Sequence, residues 1–230
     1  MMSRYRFICW LAVALLVIFQ GPATARSVQN VTVLDGNTIQ IDGRVIQIYG
    51  IDAPELGQHC LRGNILTNCG LSAAFELQKF IGMQLTPVTC VPRKEFPRGN
   101  VQVCTVGHAN LAKIMLRNGS VMAIPKSDPD YLEAERYARV ANLGIWHVKI
   151  VPPWEWRAGK RLPEETADAE RPCPVKGLIG KNKERIFYVV TDAGYWRYHV
   201  DPAHGDRYFC SLEAAWKAGW RHVRERKTKR

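Results

Sequence analysis

The stretch that decides the fold runs from Val33 to Glu55 and reads VLDGNTIQIDGRVIQIYGIDAPE. Within it, two apolar runs, Thr38–Ile41 and Arg44–Ile51, flank the dipeptide Asp42-Gly43. Asp-Gly readily adopts the two positive φ angles of a type I′ turn, and apolar runs on both sides are typical of paired strands. The pattern therefore predicts a β-hairpin that turns at Asp42-Gly43.

Three acidic residues stand at the ends of this hairpin. Asp35 precedes it, and Asp52 and Glu55 follow it. Pro54 fixes its own φ and biases Ala53 towards an extended conformation, so we expect Asp52 and Glu55 in a stiff turn. The hairpin therefore carries carboxylates at both ends, and we expect the two that follow it to be held rigidly.

The rest of the pattern predicts a β-rich α+β domain. Thr86–Val91 and Val101–Val106 are predicted strands joined by a turn, and Leu56–Cys69 is predicted as a loop. Predicted helices cover 71–81, 110–118 and 128–143, and each ends next to a glycine. This order fits a five-stranded Greek-key barrel of the OB-fold type with about three helices.

Residues 1–25 are predicted to be a signal peptide. Arg4 and Arg6 form a basic start, Phe7–Phe19 is an apolar stretch of 13 residues, and Ala23-Thr24-Ala25 has the form of a cleavage site. A membrane-spanning helix needs about 20 residues, so an uncleaved anchor is the less favoured alternative. We expect cleavage after Ala25 and a mature protein that is periplasmic or secreted.

The C-terminal third has its own composition. The chain carries 32 Lys+Arg against 21 Asp+Glu, and residues 159–230 hold 16 of the basic and 10 of the acidic residues. After a main domain over 26–158, we predict a linker over 159–172, a small cysteine-linked α+β module over 173–221 and a basic tail over 222–230. A second hairpin, 185–190 with 195–200, is predicted inside the module. The positive charge favours a polyanionic partner, and a merely solvated tail is the alternative.

Six cysteines remain after the predicted cleavage, an even number that is typical of disulfides in an exported chain. Their neighbourhood in the sequence favours three pairs: Cys60 with Cys69, Cys90 with Cys104, and Cys173 with Cys210. A zinc site is the alternative. It is disfavoured because the sequence has no C-x-x-C pair and its histidines are scattered.

Two segments, Asp35-Gly36-Asn37-Thr38 and Gln47–Glu55, resemble the motifs DGDT and R-x-x-G-[IV]-D-[AT]-P-E of the staphylococcal nuclease (thermonuclease) family. The resemblance extends over about Val28 to Trp156. It implies an OB-fold barrel that cleaves DNA and RNA with calcium. The small cysteine-containing extension also resembles one seen after some bacterial thermonuclease-like domains.

The resemblance also implies a metal site. Calcium would be held by Asp52, by the Ala53 backbone carbonyl and by the side chain at position 37, which is aspartate in the family and Asn37 here. Asn37 still offers an oxygen but no charge, which weakens a calcium site because calcium prefers anionic oxygen ligands. We therefore expect calcium binding to be weak or lost.

The catalytic positions implied by the resemblance are also altered. Glu55 matches the family glutamate that orients or deprotonates water, but the two phosphate-binding arginines fall on Gln47 and Gly99. A glutamine cannot form two charged hydrogen bonds to a phosphate. Arg98 is one residue away from the second position, and a shift of one residue on a strand reverses the direction of the side chain.

Other cations are candidates to replace these arginines and to contact nucleic acid: Arg44, Arg93, Lys94 and Arg98. Each lost electrostatic donor slows such a reaction by about 10²–10³-fold. We therefore expect a monomeric, exported protein that binds DNA, RNA or another polyanion, with phosphodiester hydrolysis reduced or lost. An active calcium-dependent endonuclease is one alternative.

A cell-envelope accessory protein is the second alternative, since some rhizobial members of the family are linked with exopolysaccharide production. The turn Asp52-Ala53-Pro54-Glu55 has a purely structural interpretation as well, in which it only closes the barrel.

Overall fold

The computed structural model describes residues 29–83, 86–93, 95, 100–167 and 172–225. The predicted signal peptide lies outside these residues, as do Lys94, Arg98 and Gly99 and the last five residues of the tail. The described chain is a strand-rich α+β protein, as predicted. No helix among the described residues is long and apolar enough to cross a membrane.

Fourteen strands occur in the described residues: β1 Val31–Val33, β2 Thr38–Ile41, β3 Arg44–Ile48, β4 Ile51–Asp52, β5 His59–Arg62, β6 Ile65–Asn68, β7 Val88–Pro92, β8 Val101–Val106, β9 Ala109–Asn110, β10 Met122–Ala123, β11 Val175–Ile179, β12 Arg185–Tyr188, β13 Arg207–Phe209 and β14 Arg221–His222.

The α-helices of the described residues are α1 Cys69–Gly82, α2 Leu111–Arg117, α3 Pro129–Val140, α4 Pro153–Arg157, α5 Pro163–Ala167 and α6 Leu212–Lys217. The first three confirm the predicted helices. Asn68 and Asn110 cap α1 and α2 by accepting a hydrogen bond from the backbone N–H three residues later. Short 3₁₀ turns cover Gly144–His147, Tyr195–Arg197 and Pro202–His204.

The main sheet has the order β1-β2-β3-β8-β7, with β9 paired to β8, and it curls into a half-barrel. Its neighbours are antiparallel except β3 and β8, which run parallel at Gln47 and Val101. The predicted hairpin is confirmed. Asp42 and Gly43 have φ angles of 49° and 82°, and Ile41 lies opposite Arg44. This geometry holds Gln47 opposite Thr38 at the mouth of the curled sheet.

The predicted loop after the hairpin is wrong in part, because β5 and β6 form a short hairpin inside it. Its strands mix polar and apolar residues without a regular alternation, so the sequence gives no strand signal there. The turn is at Gly63, whose φ of 59° a glycine adopts without strain. All three predicted disulfides are present: Cys60–Cys69, Cys90–Cys104 and Cys173–Cys210. Disulfides of this kind are typical of periplasmic and extracellular proteins.

The C-terminal residues form a second sheet of order β13-β11-β12-β14, on which α6 packs. The predicted hairpin of 185–190 with 195–200 is wrong, since β12 pairs with β11 and 195–197 is a 3₁₀ turn. The reason is the Asp192 carboxylate, which accepts a hydrogen bond of 2.8 Å from the Val189 N–H and turns the chain early.

The two sheets share one hydrophobic core. Val175, Phe187 and Leu212 of the second sheet and its helix belong to the same buried cluster as Ile39 and Leu77. A buried polar contact also joins the sheets: the imidazole of His222 lies 2.8 Å from Asp192 Oδ2 and 3.1 Å from Gln40 Oε1. The C-terminal residues therefore form part of the wall around the main sheet.

The segment predicted as a linker, 159–172, contains α5 in its described part. The Glu165 carboxylate of α5 accepts hydrogen bonds from the His59 backbone N–H at 3.1 Å and from Trp156 Nε1 at 2.8 Å. This segment is therefore anchored to the rest of the molecule at α5. The predicted domain boundaries remain predictions.

Candidate functional site

The predicted carboxylates come together in one cavity of about 520 Å³ between the main sheet and α6, which we call the carboxylate cleft. Its acidic lining residues are Asp35, Asp52, Glu55, Glu213 and Glu225, and the predicted site residues Asn37 and Gln47 also face it. The curled sheet and the turn after β4 thus bring together residues far apart in sequence. Arg157 is the one cation among the described lining residues.

Asp52 and Glu55 are buried and held by the backbone around them. Asp52 ends β4, which pairs with β10 at Met122. The Glu55 N–H donates to the side-chain oxygen of Gln58 at 3.1 Å, and Gln58 in turn donates to the Val151 carbonyl at 2.5 Å. The stiff turn predicted from Pro54 is therefore reinforced by Gln58, a fully buried residue that sequence reasoning missed.

Asn37 is fixed by two hydrogen bonds. Its backbone N–H donates to the Asp35 carboxylate at 2.9 Å, and its side-chain amide donates to the Ile51 carbonyl at 3.2 Å. The hydrogen bond from its amide thus directs the Asn37 side chain towards β4, the strand that carries Asp52. Ala53 is buried and packs against Gly36. A side chain at position 36 would clash with it, because a Cβ added to Gly36 would lie 2.7 Å from the Ala53 Cβ.

Arg157 is the residue that sequence reasoning missed at this site. Its guanidinium donates to Asp52 through both terminal nitrogens, at 3.0 and 2.6 Å, and to Glu55 Oε1 at 2.7 Å. Pro153 stands at the first turn of α4, and the indole N–H of Trp156 donates to Glu165. These contacts fix the helix that presents Arg157, so the ion pairs are built into the fold.

Burial dominates the protonation of this cluster. Desolvation and then repulsion from Asp35 raise the pKa of Glu55 to about 7, although the hydrogen bond from Arg157 opposes the rise. Burial likewise raises the pKa of Asp35. The hydrogen bond to Asp52 raises the pKa of Arg157, which stays charged. Arg157 therefore keeps its charge beside both carboxylates, and Glu55 gains a proton near neutral pH.

The arrangement does not fit the calcium site that the resemblance implies. No group of three or more His, Cys, Asp or Glu among the described residues is placed to hold a metal ion. Both oxygens of the Asp52 carboxylate accept hydrogen bonds from the Arg157 guanidinium. A cation of the protein itself therefore stands at the carboxylates that would bind calcium.

Of the predicted nucleic-acid contacts, the two that the structure describes, Arg44 and Arg93, do not line the carboxylate cleft. Arg44 is exposed beside the hairpin turn. Arg93 is paired with Asp128 at 2.5 Å and with Glu95 at 3.1 Å, and its guanidinium lies 4.3 Å from the centre of the Tyr49 ring. Lys94 and Arg98 are outside the described residues. Gln47 is exposed at the cleft and remains a neutral donor.

Comparison with known proteins adds a limited similarity. No family model matches the chain. The chain is similar to the succinoglycan biosynthesis protein ExoI of Rhizobium meliloti (strain 1021), with 26% identity over 141 residues. The match covers 59% of this chain and 73% of that protein. At this identity the similarity does not by itself assign the chain to a family.

Proposed function

We propose that this protein is an exported, thermonuclease-like protein of the OB-fold type that binds an acidic polymer and does not hydrolyse nucleic acid. The observation that carries the proposal is the guanidinium of Arg157, which donates to both carboxylates of the turn Asp52-Ala53-Pro54-Glu55. Under this proposal the ion pairs of the cleft stabilise the fold, and the polymer binds at another surface.

Electrostatics support this division. Phosphodiester hydrolysis needs a cation on the phosphate, a group that positions water and cationic donors for the transition state. The carboxylate cleft has five carboxylates, and its described cation already donates to two of them. A polyanion that entered the cleft would meet net negative charge, and Arg157 could contact it only after leaving its own ion pairs.

The similarity to a succinoglycan biosynthesis protein supports an acidic exopolysaccharide as the polymer. The matched stretch covers more than half of this chain. We therefore infer a role in the production or handling of an extracellular polysaccharide, outside the cytoplasm, with DNA or RNA as the competing partner.

The direct test is cleavage of denatured DNA and of RNA by the purified mature protein, with calcium and with a chelator. The proposal expects no cleavage above that of a Glu55→Ala variant. Two lost donors at about 10²–10³-fold each would remove most of a nuclease's rate enhancement. The substitution Arg136→Ala serves as a control for purification, because Arg136 is 71% exposed and lies outside the cleft lining.

An active nuclease is the second candidate, and one observation favours it. The pKa of Glu55 is raised to about 7, which suits a group that exchanges protons at neutral pH, and Arg157 lies within hydrogen-bond distance of it. In that case cleavage would require calcium and would fall in both Glu55→Ala and Arg157→Ala. This result would overturn the non-hydrolytic proposal.

A further inference from the structure

A second cavity of about 520 Å³ lies on the C-terminal sheet, away from the carboxylate cleft. Four basic residues line it: Lys183, Arg185, His204 and Arg207. All four are exposed, and no acidic residue of the described chain lines the cavity. Its remaining lining residues are Ile179, Gly205, Ala218 and Trp220. We call this concave surface the cationic pocket.

The cations of the pocket are not neutralised by the described part of the chain. None of the described carboxylates lies within ion-pair distance of Lys183, Arg185 or Arg207. Arg185 instead donates to the Ala218 carbonyl at 3.1 Å, which holds its guanidinium at the rim. Fixed positive charges without counter-charges raise the local concentration of anions.

The nearby carboxylates are engaged elsewhere. Glu184 pairs with Arg221 at 2.8 Å. Asp206 is buried, and its two oxygens accept backbone hydrogen bonds from Ile179 and Asp201, at 2.8 and 3.2 Å. His204 lies 3.4 Å from Asp206, so it is the one basic lining residue with a described carboxylate within ion-pair distance.

The backbone at Lys183 has an uncommon conformation. Lys183 has a φ of 58°, in the left-handed region that favours glycine and asparagine. The Lys183 N–H donates to the Gly180 carbonyl at 2.9 Å, and the Gly180 N–H donates to the Glu184 carbonyl at 2.8 Å. The turn thus holds a lysine in a conformation that a smaller residue would adopt at lower energy, which directs a charge to the rim of the pocket.

We propose that the cationic pocket binds the anionic groups of an acidic polysaccharide. This inference rests on the proposed function and locates its binding surface. Carboxylate or phosphate substituents would pair with Lys183, Arg185 and Arg207, and the apolar parts of a sugar ring would lie over Ile179.

Single-stranded nucleic acid is the less suited ligand. Its binding sites combine positive charge with exposed aromatic rings on which bases stack. Trp220 is the aromatic residue that lines the pocket, and it is only 4% exposed, so its ring face is covered. The pocket therefore offers charge and an apolar floor without a stacking platform.

The test measures binding of three probes to the full mature chain at low ionic strength: polygalacturonate, an oligothymidylate and neutral dextran. We expect binding of polygalacturonate that weakens with salt, and none of dextran. The triple substitution Lys183→Gln, Arg185→Gln and Arg207→Gln should weaken polygalacturonate binding by about tenfold or more, from the loss of three exposed ionic contacts.

The matched control removes the same charge from exposed positions on the rest of the molecule, with Arg62→Gln, Lys126→Gln and Arg136→Gln. This variant should bind within about threefold of the unaltered protein, since its changes lie outside the pocket. A third variant, Lys183→Arg with Arg185→Lys and Arg207→Lys, conserves the charge and should retain most of the binding.

Two results would overturn the assignment without touching the proposed function. In one, the pocket variant and the control variant lose affinity equally. In the other, removal of residues 226–230 abolishes binding while the pocket variant binds normally. Preference for the oligothymidylate over polygalacturonate would replace the polysaccharide with nucleic acid. If the unaltered protein binds neither polymer, the proposed function itself fails.

Discussion

The carboxylate cleft and the cationic pocket have the same volume, about 520 Å³, and opposite electrostatics. The cleft is lined by five carboxylates and Arg157, whose guanidinium is committed to Asp52 and Glu55. Among the residues that the structure describes, the pocket is lined by four basic residues and no acidic one. In the cleft the described cation is paired with Asp52 and Glu55, whereas no described carboxylate lies within ion-pair distance of the lysine and the two arginines of the pocket.

This difference in charge pairing suits the two cavities to different roles, one in stability and the other in binding. A buried ion pair must be broken before either partner can contact a ligand, and breaking it leaves an uncompensated charge. An exposed cation in water has little desolvation to overcome and exchanges its counterions readily. We infer that the cleft contributes to holding the fold together and that the pocket is the surface available to an anionic partner.

The largest expected effect is on stability at the cleft. Arg157→Met keeps most of the apolar stem and leaves Asp52 and Glu55 without their cation. These carboxylates are each 10% exposed, so the free energy of unfolding should fall by about 3–5 kcal/mol. Urea unfolding at pH 8, where both carboxylates are ionised in the unfolded chain, measures the change.

The control for this substitution is Arg136→Met. Arg136 is 71% exposed and pairs with Glu133 at 3.9 Å, so its loss should change the free energy of unfolding by less than about 0.5 kcal/mol. Adding calcium tests the same point, because in Arg157→Met the carboxylates of the cleft are no longer paired with the guanidinium. At about ten times its Kd, calcium should raise the free energy of unfolding of Arg157→Met by about 1.4 kcal/mol and leave that of the unaltered protein unchanged. Equal losses in the two variants would show that the cleft holds no special ion pair.

The next effect is a pH dependence from Glu55. Its pKa is about 7 in the folded protein and near 4.5 in the unfolded chain, so the folded state binds the proton more tightly. The stabilisation is fully present below pH 4.5 and is lost as the pH rises through 7. Between pH 5 and pH 8 the unaltered protein should lose about 2–3 kcal/mol more than Glu55→Gln does.

Glu213→Gln is the matched control for this pH dependence. Glu213 lines the same cleft but its side chain is 49% exposed, so its substitution should leave the slope between pH 5 and pH 8 intact. If Glu55→Gln keeps the slope of the unaltered protein, Glu55 does not bind the proton in this range.

The sequence predicts local features well where residues close together in the chain determine them. The Asp42-Gly43 turn, the helices α1 and α2, and the disulfides Cys60–Cys69 and Cys90–Cys104 follow from short-range patterns, and the structure confirms them. The turn at Pro54 brings Asp52 and Glu55 together for the same reason. The β5–β6 hairpin was missed because its strands lack a regular hydrophobic alternation.

Arg157 could not be predicted because its role depends on tertiary structure. It is about a hundred positions from Asp52 in sequence, and it reaches the cleft only because α4 is held in place through Trp156 and Glu165. One signal did exist: two carboxylates in a rigid turn without their expected arginines need a cation from another part of the chain. The cationic pocket could not be predicted either, because its residues come from three strands, β11, β12 and β13, and from the turns beside them, which meet only in the folded sheet.

The smallest expected effect on stability tests most directly whether the two cavities have separate roles in stability and in binding. Lys183→Asn replaces a lysine at a φ of 58° with a residue that tolerates this conformation, and it removes repulsion from the other cations of the pocket. We expect the free energy of unfolding to rise by about 0.5 kcal/mol while the affinity for polygalacturonate falls. Urea unfolding and binding measurements on the same preparation check both changes.

Lys126→Asn is the matched control, because Lys126 is also exposed and has a φ of 67° but lies outside the pocket. It should gain a similar stability without losing affinity. Opposite changes in stability and affinity at Lys183 alone would mean that the strained lysine is retained for binding. Loss of affinity in both variants, or in neither, would mean that the charge at the pocket has no special role, and the contrast with the carboxylate cleft would then concern stability only.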